Sequence, residues 1–551
     1  MRSILRMVMP LIGVAGLVKF MFLGIFSGLF SFLFITFLTK VVGLIISGSL
    51  TTISKEYIII FAFIILFFVW IRKMLSLGIV TLSQRIFWTL RKQILNSVLN
   101  ANYEQLSKRK IKVHAAILSD VYVLTDASMN IISFFISLVM GVACLIYLAS
   151  ISFVLFLITV VVAFMGAAVY HFGSIKNNKE LEVYRSLENK FLESLNAILD
   201  GFKEIYMEPK KGRAIYDNKI NFIAKDSYKN NISAFTGFLR NQITGQVLFY
   251  LLIASVLLVF SIILKIKATD IVSFVFTLLY LLGAIETIMV LLPGLVRARI
   301  ACNHLIDLKN ELEEANFSNP IPDKYIQKDE FDQILIKDLE YKYHGDDNIF
   351  AIGPIDFQIK KGDIVFIYGG NGSGKTTFVH SVLGLNIPAS GEIHLNDQLV
   401  NNENYPDYRT LFSVVFSDFY LFNELHGMPE LDIEKWNYYL ELFEIQGKVE
   451  LENNCFSTTD LSTGQRKRLA LIVALLEEKP ILVMDEWAAD QDPYFRKKFY
   501  TEILPALKKQ DITIIAITHD DKYYNCADRL YKMEEGKLIE ESVTVHESPL
   551  V

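Results

Sequence analysis

Six stretches in the first three hundred residues are apolar enough, and long enough, to cross a bilayer as helices. The first, residues 20–38, is nineteen residues without a charge. A helix of that length matches a hydrocarbon core of about 30 Å. Residues 57–70 begin a second span, with Arg72 and Lys73 near its end, where long basic side chains reach the headgroups. Residues 131–149 and 151–169 are the third and fourth, joined so tightly around Ser150 that a hairpin is predicted. Residues 247–264 and 271–292 complete the set. Any one run alone could be a core helix of a soluble protein; six of spanning length could not. Hydrocarbon offers no water to an unpaired backbone group, so each run must be helical. Residues 1–306 are therefore expected to form a six-helix membrane domain.

Loop charge predicts its orientation. Arg85, Arg91, Lys92, Lys108, Arg109, Lys110 and Lys112 lie between the second and third spans, and twelve basic residues lie between Lys176 and Arg240. The other connections carry few: Lys40, Lys55, Lys265 and Lys267. The positive-inside rule places both long loops and both termini in the cytoplasm. Helical spacing persists through these loops, so the spans should extend into the cytosol. Their turning points, near 102–112 and 207–214, are the natural contacts for a cytoplasmic domain. The opening twenty residues have a short apolar run broken by Pro10 and no A-x-A cleavage site, which reads as a retained interfacial lead-in helix. Glu286 sits inside the sixth span, where a carboxylate must face a cavity or a partner. A cavity residue meeting a cationic or polar cargo group and an interhelical hydrogen bond are equally open. Arg297 and Arg299 follow as headgroup anchors.

The composition is 52% hydrophobic with a mean hydropathy of +0.36, and the excess lies in this half. A net charge of −5 gives no support for a nucleic-acid partner. Cys144, Cys302, Cys455 and Cys526 are widely spaced, with no CxxC pair, which argues against a disulfide framework or a zinc site.

Residues 307–333 are charged and Pro-bearing, as a linker is. Beyond them, residues 334–551 alternate strand and helix patterns, predicting a soluble α/β domain. Its centre is GGNGSGKTT: Gly369, Gly370, Asn371, Gly372, Ser373, Gly374, Lys375, Thr376 and Thr377. An apolar strand pattern precedes this run and a helical one follows. Glycines let successive N–H groups curl around a phosphate, and the helix start adds its positive dipole end. Lys375 would reach the β- and γ-phosphates and Thr376 would hold Mg²⁺. A second apolar strand ends in Asp485 and Glu486. Asp485 suits water-mediated Mg²⁺ binding, and Glu486 suits the general base on the attacking water. A third ends at His519, placed to contact the γ-phosphate. Tyr343 could stack on adenine or be a plain strand residue.

The stretch LSTGQRKRLAL, residues 461–471, opens an evident helix with Ser462, Thr463, Gly464 and Gln465. This is a second anion-binding helix start. One chain does not need two γ-phosphate sites, so a second copy facing the first should close each phosphate loop.

These ordered motifs closely resemble the ATP-binding cassette transporters, specifically exporters with one membrane domain fused ahead of one cassette. The resemblance implies that 369–377 is the Walker A loop, 481–485 the Walker B strand and Glu486 the catalytic glutamate. It also implies that 462–465 is the signature, Asp492 the D-loop acid and His519 the switch histidine, with Tyr343 at the adenine. Two positions depart from the family pattern. Ser417, followed by Asp418, stands where a Mg²⁺-liganding glutamine is usual, so either could substitute, and Thr463 replaces a glycine. The runs VFSDFYLF, LSTGQRKRLAL and DEWAADQDP look like the branch that exports cyclic peptides and peptide siderophores. The implied function is ATP- and Mg²⁺-dependent export of a peptide-like cargo across a bacterial inner membrane by a homodimer. Whether a periplasmic or outer-membrane partner takes over the cargo stays open. The rivals are a lipid flippase of the same architecture and a membrane-anchored ATP-dependent regulator or channel.

Overall fold

The computed structural model describes Pro10 and residues 13–46, 55–107, 109–313, 322, 324–342, 351–428 and 431–542. The chain divides into two compact units, one comprising residues up to Leu99 and 106–314, the other Asn100–Gln105 and 315 onward.

The first unit is helical. Its main helices are α1 (Val14–Ile46), α2 (Lys55–Leu99), α3 (Val121–Ile151), α4 (Phe153–Asp200), α5 (Asn221–Ser255) and α6 (Ala268–Glu313). Among the described residues six helices are long and apolar enough to span a membrane, and each predicted apolar run lies within one of them to within two residues at its ends. Three of these helices are 45, 48 and 46 residues long. At 1.5 Å per residue the longest reaches about 72 Å, far beyond the hydrocarbon core, so the spans do continue outside it. The turn between α3 and α4 is tighter than a hairpin loop: Ser152 alone is extended (φ −155°, ψ 113°), two residues past Ser150. Short helices Phe202–Met207 and Pro209–Ile215 turn the chain between α4 and α5, the second capped by the Glu208 carboxylate. Helix α6 runs to Glu313, through the first residues of the segment expected to be a linker. Of the lead-in helix expected over the opening twenty residues, 14–20 belong to α1 and continue into the first span, and apart from Pro10 and Gly13 the rest lies outside the described residues.

Apolar side chains such as Phe63, Leu66, Phe164, Phe172 and Leu258 point outward, the reverse of a soluble bundle. Close packing inside the unit rests on small residues beside polar ones. Antiparallel α4 and α5 meet at two reciprocal notches. A Cβ on Gly237 would lie 2.1 Å from Asn177 Oδ1, and one on Gly173 would lie 2.5 Å from the Asn241 amide. Each asparagine is buried over the other helix's glycine.

Among its described residues the second unit holds two large sheets and a small two-stranded one that pairs Leu451–Glu452 with Cys455–Phe456. Strands β1 (Gln333–Lys342), β2 (Ala351–Lys360), β4 (Ser390–Leu395) and β5 (Gln398–Leu399) form an antiparallel sheet in the order β2-β1-β4-β5. Strands β3 (Ile364–Gly369), β6 (Phe412–Val415), β7 (Ile481–Asp485), β8 (Thr513–Ile517), β9 (Arg529–Glu534) and β10 (Lys537–Glu541) form the other, in the order β10-β9-β3-β8-β7-β6. All of its pairings are parallel except β9 with β10. Alternate residues of each strand serve opposite faces. Ile364, Phe366, Leu482 and Met484 pack into one core, and Val365, Ile367, Val483 and Ile515 into the other. Burial on both faces explains why these strands read as continuous apolar runs. Their carboxyl ends converge on one edge, the usual ligand crevice of an open parallel sheet.

Candidate nucleotide site

Strand β3 delivers the phosphate loop to that edge, and α7 (Lys375–Val382) leaves it. Gly369 must be glycine: at φ +152° a Cβ there would lie 2.2 Å from the Met533 carbonyl oxygen. Gly374, at φ +109°, precedes the first helical residue, and its carbonyl accepts from the Phe378 N–H at 2.9 Å. Lys375 is buried and its ammonium donates to the carbonyls of Gly369 and Gly370, each at 3.0 Å. The lysine thus lies folded along the loop it follows. Ser373 Oγ is buried without a protein partner, an unmet polar group inside the cradle.

Beside the loop, β7 ends at buried Asp485. Its Oδ2 accepts from Ser417 Oγ at 3.2 Å, while Oδ1 has no partner. Burial lifts this carboxyl above the ordinary aspartate range, and the Ser417 bond opposes the rise. Ser417 rather than Asp418 makes this contact; the charge of Asp418 acts on His380, partly offsetting the drop in pKa that burial imposes there. An unpartnered acidic oxygen at the end of the strand beside the phosphate loop suits a hard cation arriving with phosphates. Among the described residues no cluster of three or more His, Cys, Asp or Glu could cage a metal without such help.

Glu486 follows in the left-handed region (φ +51°), uncommon for a residue with a side chain. Its N–H donates to the Ile517 carbonyl at 3.1 Å. Its Oε1 lies 3.3 Å from His519 Nε2, so the two candidates from separate strands meet. Thr518 holds the histidine's segment: its N–H donates to the Ile367 carbonyl at 3.1 Å, and its hydroxyl is 2.7 Å from that of Tyr500, which donates to Asp520 at 2.9 Å.

The predicted second helix start is α8 (Thr463–Leu476), capped by Ser462. Ser462 Oγ accepts from the Gln465 N–H at 3.4 Å, and Gln465 Oε1 accepts from the Ser462 N–H at 3.2 Å, a reciprocal capping box. Among the described residues no hydrogen bond joins 462–465 to 369–377 of the same chain. The helix start is instead tied to residues just past Glu486. Gln491 Nε2 donates to the Gly464 carbonyl at 3.2 Å, and Arg468 bonds Gln491 at 2.8 Å and Asp492 at 2.9 Å. Asp492 in turn caps the helix Pro493–Lys498, accepting from the Phe495 N–H, which holds its carboxyl below the usual range.

Several polar residues escaped sequence reasoning. Lys467 is buried, its ammonium 2.7 Å from Asp490 and 3.0 Å from the Glu486 carbonyl. The signal existed: it stands four residues before Leu471 and eight before Leu475, on the apolar stripe of α8. In the helical unit, Arg185 pairs with buried Asp120 and also reaches Ser119 and Glu188. Arg297, expected as a headgroup anchor, lies over the Phe235 ring at 5.5 Å. Glu286 accepts from Gln246 Nε2 at 2.6 Å, joining α5 to α6. Tyr343 lies outside the described residues.

Known proteins match at both scales. A family model described as ABC transporter matches residues 352–489, which contain the phosphate loop, Asp485, Glu486 and α8. The ATP-binding protein SyrD of Pseudomonas syringae pv. syringae is 33% identical over 481 residues, 83% of each chain. The energy-coupling factor transporter ATP-binding protein EcfA1 of Staphylococcus aureus is 27% identical over 226 residues, covering 38% of this chain and 82% of its own. The solved structure of a bacterial Atm1-family ABC exporter with ATP bound shares the fold, with a TM-score of 0.76 at 15% identity over 96% of this chain and 95% of that one. With six helices of spanning length ahead of a cassette and a relative 33% identical over 83% of its length, the chain belongs to the ATP-binding cassette transporters, multi-pass membrane ATPases that couple ATP hydrolysis to transport.

Proposed function

We propose that the chain is one half of a homodimeric exporter that moves a cyclic or modified peptide across the bacterial inner membrane, with its cassette and both termini in the cytoplasm. One observation carries the dimer. The helix start at Ser462, Thr463, Gly464 and Gln465 has the features of an anion site but makes no hydrogen bond to its own phosphate loop. A second copy supplies it, so that two nucleotides lie between two cassettes.

In each site the N–H groups of 369–374, together with Lys375, Thr376 and Thr377, bind the phosphates. The adenine stacks on Tyr343. Thr376 and, through water, Asp485 would hold a magnesium ion, with Ser417 orienting Asp485; the ion supplies neutralisation of phosphate charge. Glu486 takes the proton of the attacking water, and His519, 3.3 Å from it, keeps that water aligned with the γ-phosphate. ATP binding closes the cassettes, the long helices carry the closure into the spans, and hydrolysis resets them. Glu286 meets a basic or polar cargo group with the oxygen that Gln246 leaves.

The cargo class rests on the likeness of three cassette runs to the peptide-exporting branch. Its test is the purified chain in liposomes, assayed for ATP turnover and for movement of labelled cyclic peptides. Peptide-stimulated turnover with ATP-dependent movement is expected. Stimulation by lipids alone would make it a flippase, and ion current at constant turnover would make it a channel. Glu286→Gln should slow a cationic peptide more than a neutral one; equal rates would leave the Gln246 bond as the sole role of Glu286.

A further inference from the structure

The buried ammonium of Lys467 touches the backbone of the one residue whose side chain must be aimed. Burying a charge is costly unless it is paired and hydrogen-bonded. Lys467 has both partners, the Asp490 carboxylate at 2.7 Å and the Glu486 carbonyl at 3.0 Å. The same residue's carbonyl accepts from the Trp487 indole N–H at 2.8 Å. Helix α8 therefore grips two consecutive residues, 486 and 487, from one position.

The grip matters because Glu486 is held in the left-handed region, which a residue with a side chain keeps only where its surroundings over-determine it. Here both of its peptide groups are fixed, the N–H by the Ile517 carbonyl and the carbonyl by Lys467 at 3.0 Å, with a longer bond from the Ala489 N–H at 3.4 Å. Fixing both sets the direction of the Cα–Cβ bond and so brings the carboxylate to His519. The same segment is tied to the helix start itself. Gly464 packs so closely on the Asp490 carbonyl that a Cβ would lie 3.0 Å away, and its carbonyl accepts from Gln491. A shift of 462–465 must therefore shift the backbone of 486–491.

We infer that Lys467 is a positioning residue for Glu486, transmitting the state of the signature helix start, where the second copy's nucleotide docks, to the base in its own chain. This rests on the reading of Glu486 as base and of 462–465 as half of the partner's site.

The test compares Lys467→Met, Lys467→Gln and Glu486→Gln in the full chain reconstituted in nanodiscs, by steady-state ATP turnover and thermal midpoint. Methionine fills the volume without donors. Glutamine restores an N–H toward the Glu486 carbonyl. Lys467→Met should lower kcat about 10- to 100-fold with KM for ATP within about threefold, because a small misplacement of a base costs that much. Lys467→Gln should recover to within about fivefold of the parent. Combined with Glu486→Gln, the methionine variant should cost nothing further, since the two act as a unit. Equal loss in the methionine and glutamine variants, an effect confined to KM, or full additivity with Glu486→Gln would overturn the proposal. Near-parental turnover in Glu486→Gln alone would instead remove the base reading beneath it.

Discussion

In the cassette, the candidate phosphate-handling groups are aimed by the backbone, whereas in the membrane half several polar groups between helices are placed by a side chain or a glycine of another helix. Lys375 lies against the carbonyls of its own loop, Asp485 ends a fully buried strand, and Glu486 occupies a left-handed turn. Glu286 is met by Gln246, Asp120 by Arg185, and Asn177 and Asn241 by the glycines of the opposite helix. A turn or strand end demands particular residue types at fixed spacing, so it leaves a motif. A contact between two long helices demands only small and polar residues at matching heights, which leaves none. The cassette should therefore respond to substitution in its chemistry and the membrane half in its packing.

The largest effect expected from that contrast is at Glu486. Glu486→Gln should lower ATP turnover by about 10²- to 10⁴-fold, the range for a lost general base, while ATP is still retained. Single-turnover hydrolysis with bound-nucleotide analysis reads both, and near-normal turnover would refute the assignment. Gly369→Ala comes next. Its Cβ would lie 2.2 Å from a backbone carbonyl that cannot swing away, so the strand end must shift. A loss of about 1–3 kcal/mol in cassette stability is expected, together with weakened ATP binding. The counterpart in the membrane half is Gly237→Ala, which crowds Asn177 Oδ1 at 2.1 Å. It should cost a similar 1–3 kcal/mol or so of thermal stability yet leave ATP affinity unchanged. If it weakened ATP binding instead, the contrast between halves would fail. The smallest effects belong to single hydrogen bonds. Glu286→Ala should cost about 0.6 kcal/mol, typical of an interhelical bond in a membrane protein. Ser417→Ala should cost about 1 kcal/mol and loosen Asp485, read as a raised Mg²⁺ requirement for ATP-dependent closure.

The same contrast explains what the sequence made legible. Spans, phosphate loop, strand-end acids, His519 and the capped helix at Ser462 were readable because length, apolar run or turn chemistry dictates them locally. The bond from Ser417 to Asp485 was half legible: the departure showed at 417, but which neighbour faced the acid depended on how β6 and β7 lie side by side. Lys467 was legible only as a lysine on the apolar stripe of α8, while its partners, like those of Arg185 and the Asn–Gly notches, were not, because each is defined by a residue distant in sequence. The break at Ser152 instead of Ser150 is the usual uncertainty of a helix end.

If each ATP site is assembled from two chains, mixed dimers with one lesion on each chain will behave differently from either parent. One chain carries Lys375→Ala, the other carries Ser462→Arg, and both carry Glu486→Gln to retain nucleotide. If phosphate loop and signature come from different chains, both lesions fall in one site and the other site is intact. The mixed dimer should then retain one ATP while each parent dimer retains none. If the mixed dimer retains none, like its parents, each site lies within a single chain and the two-chain site is refuted.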